Sequence, residues 1–551
     1  MIQSNDDNAV RTRWSIALFL IALIGAALRF YGLGFRDFWL DESCSFIYVK
    51  YLFDWPEGSS LLAESTNLPY YVLLRGWVEW WGESEISYRA LSALAATLTI
   101  PMVAVLARRL ADPFTALVVA VLVAVHPLHL HYAHEARAYA LWILLLTVVL
   151  WSLHVAATTG RKRWWCFFGL TMLSALHLHY FSIYLLPATA GVVFLAADRR
   201  RAFRAWLITT TLVGLAFVPY FVAAVLPASR GGGGVWIAQY FQPTQAIFLT
   251  LWAFLPAGAY PVHLRGLSLS SVDTVKFQSD FLIAANGVAR AVPAVIVITM
   301  VAMLVVRGSR RRPSDATSDR TWPLHAFLGA TALGPLLLAW LYSTAMRPNY
   351  LVARYDMVAW PAFMVWLAVV ITTFARAVAP NRTGLVALLM TGALAACSMM
   401  PNIRMAALRP PPTVHHERAK FLAQKTNPGD LVVALSYDRD YLLYYLDRYG
   451  FAGEIVSFPS WLDHQIGWVD TEADLAAARD GRLQRDAETL TNSIRQVLAG
   501  KGRVFLLLDW LDPNGSGERD PLHRALADTL AQAGLRFIVA DERLKVLALE
   551  W

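Results

Sequence analysis

The stretch HYAHEARAYALWILLL, residues 131–146, opens an apolar run that continues to Ala157. A run of that length matches the ~20 residues a helix needs to cross the hydrocarbon of a bilayer. Glu135, Arg137 and Tyr139 stand at its mouth. An ionisable residue at such a place is costly and marks a functional site by default. The stretch therefore predicts a membrane span with chemistry at one end.

The rest of the chain extends this reading. It has 551 residues, of which 57% are hydrophobic and only 16% charged. An ordinary soluble domain has about a quarter of its residues charged. Apolar blocks predict eleven spans, at about 14–28, 86–107, 114–129, 136–157, 165–178, 181–197, 205–226, 281–306, 322–342, 357–374 and 384–400. The fold class expected is a polytopic α-helical membrane protein with a small C-terminal α/β domain. The block 247–260 is read as re-entrant or interfacial, inside a long loop at 227–280. A cleaved signal peptide at the start is the less favoured reading, because removing one span would disturb the alternation of charge.

Positive residues follow the cytoplasmic loops. With the N-terminus in the cytoplasm, the inner loops hold eighteen, among them Arg108, Arg109, Arg199, Arg200, Arg201 and Arg310 to Arg312. The outer loops hold fewer, although they are longer in total. The net charge of +8 thus reads as membrane orientation, not as a nucleic-acid footprint. Residues 1–400 form the membrane domain, with a first outer loop at 34–85. Residues 401–551 form a soluble domain on the outer side. DLVVALS, GRVFLLLDW, LRFIVAD and LKVLALEW read there as strands. DRDYLLYYLDRYG, PLHRALADTLAQAG and the stretch around 486–499 read as helices. The three cysteines, Cys44, Cys166 and Cys397, give no disulfide framework and no metal spacing.

This topology brings three distant segments to one membrane level. They are FWLDESCSF (38–46) after the first span, HEARAY (134–139), and ARYDMVAWP (353–361) before the tenth span. An arginine can hold a phosphate, bidentately where geometry allows. A carboxylate can take the proton of an attacking hydroxyl. Together these are the parts needed for group transfer from a lipid phosphate. LHLHY occurs twice, at 128–132 and 176–180. Histidines two apart on a helix diverge, so a zinc site is not favoured. His134 and His179 are expected to line a polar cavity, with Arg89 beside them.

Here the motifs carry a resemblance. WLDES (39–43) resembles the Asp-Glu motif in the first outer loop of the GT-C glycosyltransferases. NLPYYVLLRGWVEWWGESEISYRALSALAATLTIP (67–101), HYAHEARAYALWILLL (131–146) and RYDMVAWPAF (354–363) resemble successive signatures of one branch. That branch includes the protein O-mannosyltransferases, the lipid A aminoarabinose transferase and bacterial galacturonosyl transferases. One departure is visible: Asn67 stands where the branch carries the histidine of His-Pro-Pro. The resemblance implies a polyprenyl-phosphate sugar donor and direct displacement with inversion at the sugar. It implies Asp41 as general base, with Glu42 supporting it or placing the acceptor, and Glu135 as a second acid. Arg137 and Arg354 would hold the donor phosphate, with Tyr139 and Tyr355 nearby. No cofactor is expected, a divalent metal being the less favoured alternative. The expected partners are the lipid-linked donor, membrane lipids and a glycan, lipid or protein acceptor, with no nucleic acid. The expected place is a bacterial inner membrane, crossed many times, with the C-terminal domain periplasmic. A transporter or flippase for a lipid or anion is the alternative. It would place its charges at the membrane midplane.

Overall fold

The computed structural model describes residues 2–52, 67–227, 237–238, 241–255, 321–407, 412–435, 438–461, 476–477, 479–507 and 521–550. Ten of the eleven expected spans fall on these residues, and each coincides with helical chain. The remaining one, 281–306, lies outside them, as does most of the loop 227–280.

Helix α1 (Ile2–Phe30) leads to a short helix α2 (Leu40–Lys50) and to α3 (Leu68–Trp81). Then follow α4 (Glu85–Leu110), α5 (Pro113–Ala124), α6 (Pro127–Ala133), α7 (Tyr139–Thr159) and α8 (Lys162–Leu178). Short turns of helix run from Tyr180 to Phe194, and α9 is Arg199–Tyr220. Helix α10 (Ala246–Phe254) covers most of the block read as re-entrant. Its nine residues span only about 14 Å, too little to cross. The bundle closes with α11 (Thr321–Ala345), α12 (Trp360–Val378) and α13 (Thr383–Ala407).

Among the described residues, seven helices are long and apolar enough to cross a membrane, or eight if the pair α5 and α6 counts as one span. The segments 165–178 and 181–197, expected as spans, fall short of that test. Helix α8 has 17 residues and carries Lys162 and Arg163 in its first turn. The next segment is a chain of short 3₁₀ and α turns broken around Pro187. Helix α12 lies at the centre and is largely buried, whereas α1 is mostly exposed.

The bend between α5 and α6 is 60°, and Pro127 explains it. In a continuous helix the amide of residue 127 would bond the carbonyl of Val123, but proline has no N–H. Arg29 of α1 takes up the freed acceptors. It is fully buried. It donates to Ala124 O at 2.8 Å and to Val123 O at 2.9 Å. It also donates to Gly25 O, and its Nη2 lies 2.9 Å from His129 Nδ1. The ring of His129 stacks on Trp360, 4.8 Å between centroids. Arg29→Leu should therefore lower the thermal unfolding temperature in lipid nanodiscs, since a buried carbonyl that loses its donor, as Ala124 O would, costs roughly 1–3 kcal/mol. An unchanged midpoint would show that the bend does not depend on Arg29.

The C-terminal domain contains α14 (Val414–Lys425), β1 (Leu431–Leu435), α15 (Asp438–Arg448), β2 (Glu454–Phe458), α16 (Arg482–Ala499), β3 (Val504–Leu507), α17 (Pro521–Gln532), β4 (Arg536–Asp541) and β5 (Val546–Glu550). The sheet order is β2-β1-β3-β5-β4. Strands β2, β1 and β3 are parallel, with Leu431 beside both Glu454 and Val504. Strands β3, β5 and β4 are antiparallel. One face packs Leu431, Val433, Val504 and Leu506 against Leu483, Ala487 and Ile494 of α16 and Leu530 of α17. The other face packs Val432, Ala434 and Phe505 with Ala419, Leu422 and Leu442, in a core continuous with the helical bundle. The four expected strands and three expected helices are present. Strand β2 was not expected from the sequence.

Candidate active site

Asp41 sits in the first turn of α2, where the helix N-terminus favours a carboxylate. Arg354 Nη2 is ion-paired with its Oδ2. Arg137 Nη2 approaches the same oxygen at 3.7 Å. Arg137 also donates to the backbone oxygen of Asp41 at 3.3 Å and to Tyr71 Oη at 2.8 Å. Arg354 Nε donates to Tyr139 Oη at 2.7 Å. Its guanidinium lies 5.5 Å from the ring centre of Tyr139 and 5.7 Å from that of Trp39, within cation–π range. Three segments far apart in the chain thus meet at one carboxylate.

The turn that presents Arg354 is itself constrained. Ala353 has φ of +58°, a left-handed conformation uncommon for a residue with a side chain. Tyr132 Oη donates to its carbonyl. Its amide donates to Asp356 Oδ2 at 2.8 Å. Asp356 Oδ2 also accepts from the hydroxyl of Thr250, on α10. Such strain persists only where the surroundings fix it, commonly at functional sites.

Glu42 does not share this environment. Arg89 of α4 grips it bidentately, Nε to Oε1 at 2.7 Å and Nη2 to Oε2 at 2.6 Å. The amide of Ala136 donates to Oε1 at 3.0 Å. Arg89 also donates to the carbonyls of Leu33, Arg36 and Asp37. Adjacent residues on a helix face different ways, and the exposures show which side chain is the more open. The side chains of Glu42 and Arg89 are each 2% exposed, against 17% for Asp41 and 14% for Arg137. Arg89 was expected to line the cavity; instead its donors are all taken within the protein. Both oxygens of Glu42 are engaged within the protein.

The other expected residues divide. Glu135 is buried and paired with His131, 3.0 Å apart. His134 points back to Leu28 O, 3.4 Å away at the end of α1. His179 is buried in an aromatic sleeve, stacked on Trp142 at 4.3 Å and 5.0 Å from the ring of Tyr355. It therefore lies behind Tyr139 and Tyr355, not on an open wall. Tyr71, which anchors Arg137, is a site residue the sequence did not single out, although it lies in the NLPYY stretch. Its ring stacks on Tyr48 of α2 at 4.6 Å.

Electrostatics favour the ionised carboxylate. Burial raises the pKa of Asp41, but Arg354 and Arg137 outweigh it and hold the group below the ordinary carboxylate range. Burial likewise raises Glu135, while His131 and then Arg354 bring it below its usual value. Among the described residues no three histidine, cysteine or acidic side chains are grouped to ligate a metal.

Residues 70–226 match the family described as dolichyl-phosphate-mannose-protein mannosyltransferase. No curated protein matches the chain in sequence. The crystal structure of the Archaeoglobus fulgidus oligosaccharyltransferase with zinc and sulfate is similar at a TM-score of 0.52 and 13% identity, over 89% of this chain and 68% of that one. Its apo form gives 0.51 at 13% identity, over 80% of this chain and 64% of that one. The chain thus spans about two thirds of the length of that enzyme. ArnT from Cupriavidus metallidurans bound to undecaprenyl phosphate has a TM-score of 0.47 and 15% identity, over 98% of both chains. The family match is confined to residues 70–226, and the likeness to the oligosaccharyltransferase is one of fold.

Proposed function

We propose that the protein transfers a sugar from a polyprenyl-phosphate donor to an acceptor hydroxyl on the outer face of a bacterial inner membrane. The observation that carries this reading is the meeting of Arg137 and buried Arg354 at Asp41, where Asp41 and Arg137 remain partly exposed. The name of the family matched by residues 70–226 includes a lipid-phosphate sugar.

The chemistry is a single displacement. The acceptor oxygen forms a bond to the anomeric carbon as the bond from that carbon to the phosphate oxygen breaks. The hydroxyl proton passes to Asp41. The electron pair leaves with polyprenyl phosphate, whose charge Arg137 and Arg354 neutralise. The sugar is inverted. These arginines bind an anion within the protein, the carboxylate of Asp41. A donor phosphate draws them away and leaves Asp41 free to accept a proton. Tyr139, bonded to Arg354, keeps that guanidinium at the site. Tyr355 lines the same aromatic wall. No step is assigned to a metal.

Binding of undecaprenyl phosphate to protein in nanodiscs tests the phosphate site. A hydrogen bond to a charged group contributes about 1.5–3 kcal/mol, so Arg354→Ala should weaken binding roughly 10- to 100-fold. Equal affinity in wild type and variant would remove Arg354 from the phosphate site.

The pH dependence of kcat/KM tests the base. A carboxylate with a depressed pKa is ionised at every pH above that low value. Transfer should therefore hold through neutral and mildly acid pH, and fall only as pH drops through the depressed pKa of Asp41. Arg137→Gln removes one of the two depressing charges. It should move the acid limb to higher pH, whatever its effect on the maximum. An acid limb that stays in place would show that another group is the base.

A further inference from the structure

We propose that the C-terminal domain positions the general base, and that Tyr445 is the positioning residue. This rests on the reading of Asp41 given above. Helix α2 begins at Leu40, and its N-cap, Trp39, supplies no side-chain hydrogen bond to the helix start. A helix end without a local cap needs another partner to fix it. The chain entering the helix is held from some four hundred residues away in sequence. The amide of Phe38 donates to Tyr445 Oη at 2.8 Å. Asp37 accepts from the amide of Thr413 at 2.6 Å, and its Oδ1 lies 2.8 Å from His416 Nδ1. His416 in turn stacks on Tyr445, 4.3 Å between centroids.

Aromatic packing extends this grip along α2. Tyr444 meets Phe38 at 4.5 Å and Phe46 at 5.3 Å. At the rim, Lys50 pairs with Asp447, and Arg448 pairs with Glu85 at 2.6 Å. The bundle holds the opposite side of the same helix. Arg89 and the amide of Ala136 bind Glu42, and Ser45 Oγ donates to Ala136 O at 2.8 Å. Asp41 therefore lies between a grip on residues 37–38 from the C-terminal domain and a grip on residues 42–45 from the bundle. Displacement at a sugar carbon requires the base to be placed to within about 0.5 Å. One grip would leave α2 free to pivot about the Glu42–Arg89 pair, and two fix it.

The test uses the full chain in nanodiscs. Tyr445→Phe keeps the ring and removes only the hydroxyl that receives the Phe38 amide. Asp37→Asn loosens the neighbouring contact. Arg448→Ala, at the exposed rim, is the control. Amide exchange of the peptide covering residues 38–46 is read by mass spectrometry. It is compared with kcat and with affinity for undecaprenyl phosphate. Tyr445→Phe should speed exchange about tenfold and lower kcat about tenfold, the worth of one buried hydrogen bond, with donor affinity within about twofold. Asp37→Asn should act in the same direction, and Arg448→Ala should change neither. The proposal falls if exchange or kcat in Tyr445→Phe and Asp37→Asn equals that of wild type. It also falls if donor affinity is lost in step with kcat, since that would mean general unfolding. If wild type transfers from no donor, the reaction assigned to Asp41 falls instead. Exchange then decides the grip alone, and unchanged exchange overturns it.

Discussion

Asp41→Asn should lower the rate of transfer roughly 10²- to 10⁴-fold at saturating donor, the range contributed by a positioned general base. The amide keeps the shape of the side chain and cannot take a proton. Donor binding should survive, because Arg137 and Arg354 lose an internal anion that competes with the donor phosphate. Single-turnover transfer and equilibrium binding of undecaprenyl phosphate, measured on the same preparation, separate the two effects. The neighbouring acids cannot substitute. Both oxygens of Glu42 are engaged by Arg89 and the amide of Ala136. Glu135 is buried against His131. A variant that binds donor and also transfers at the wild-type rate would move the base elsewhere.

Arg89→Leu should cost about 3–5 kcal/mol of stability, because it strands the buried carboxylate of Glu42 without its partner. The charge cannot escape to water, since the side chain is 2% exposed. The variant also frees the carbonyls of Leu33, Arg36 and Asp37, which Arg89 ties to α4. The double variant Glu42→Leu with Arg89→Leu should recover a large part of the loss, because a buried ion pair is often replaceable by apolar side chains of similar size. Thermal unfolding of wild type, both single variants and the double variant forms a cycle that isolates the pair. If Arg89→Leu unfolds at the wild-type temperature, the pair does not hold the first loop in place. Activity offers a second readout. Losing the pair should also displace Asp41, one residue away.

Much of this was legible in the chain. The apolar runs and their basic ends set out the spans, and the acids and arginines at three span mouths marked the site. Asp41, Arg137, Arg354 and Tyr139 do come together. What sequence cannot show is which charge takes which partner. Arg89 and Glu42 are 47 positions apart, and nothing in either segment signals a bidentate pair. The same holds for Arg29, which answers a vacancy created by Pro127 almost a hundred residues later. Burial and arginine pairing pull the pKa of Asp41 in opposite directions, and only the distances reveal that the arginines win. Strand β2 gave little signal because it lies at the edge of the sheet and is buried only at Ser457 and Phe458. The segments 165–178 and 181–197 are helical but fall short of a full-length span among the described residues. Their apolar content is real, but Lys162 and Arg163 mark the start of one, and short turns around Pro187 replace a continuous helix in the other.

The most direct measurement is sugar transfer by the purified protein in lipid, from a panel of radiolabelled polyprenyl-phosphate sugars, with wild type and Asp41→Asn compared side by side. Wild type should release polyprenyl phosphate and label an acceptor from at least one donor, and Asp41→Asn should bind that donor and leave it intact. Binding of no donor by wild type, or equal transfer by both proteins, would contradict the assignment of this site.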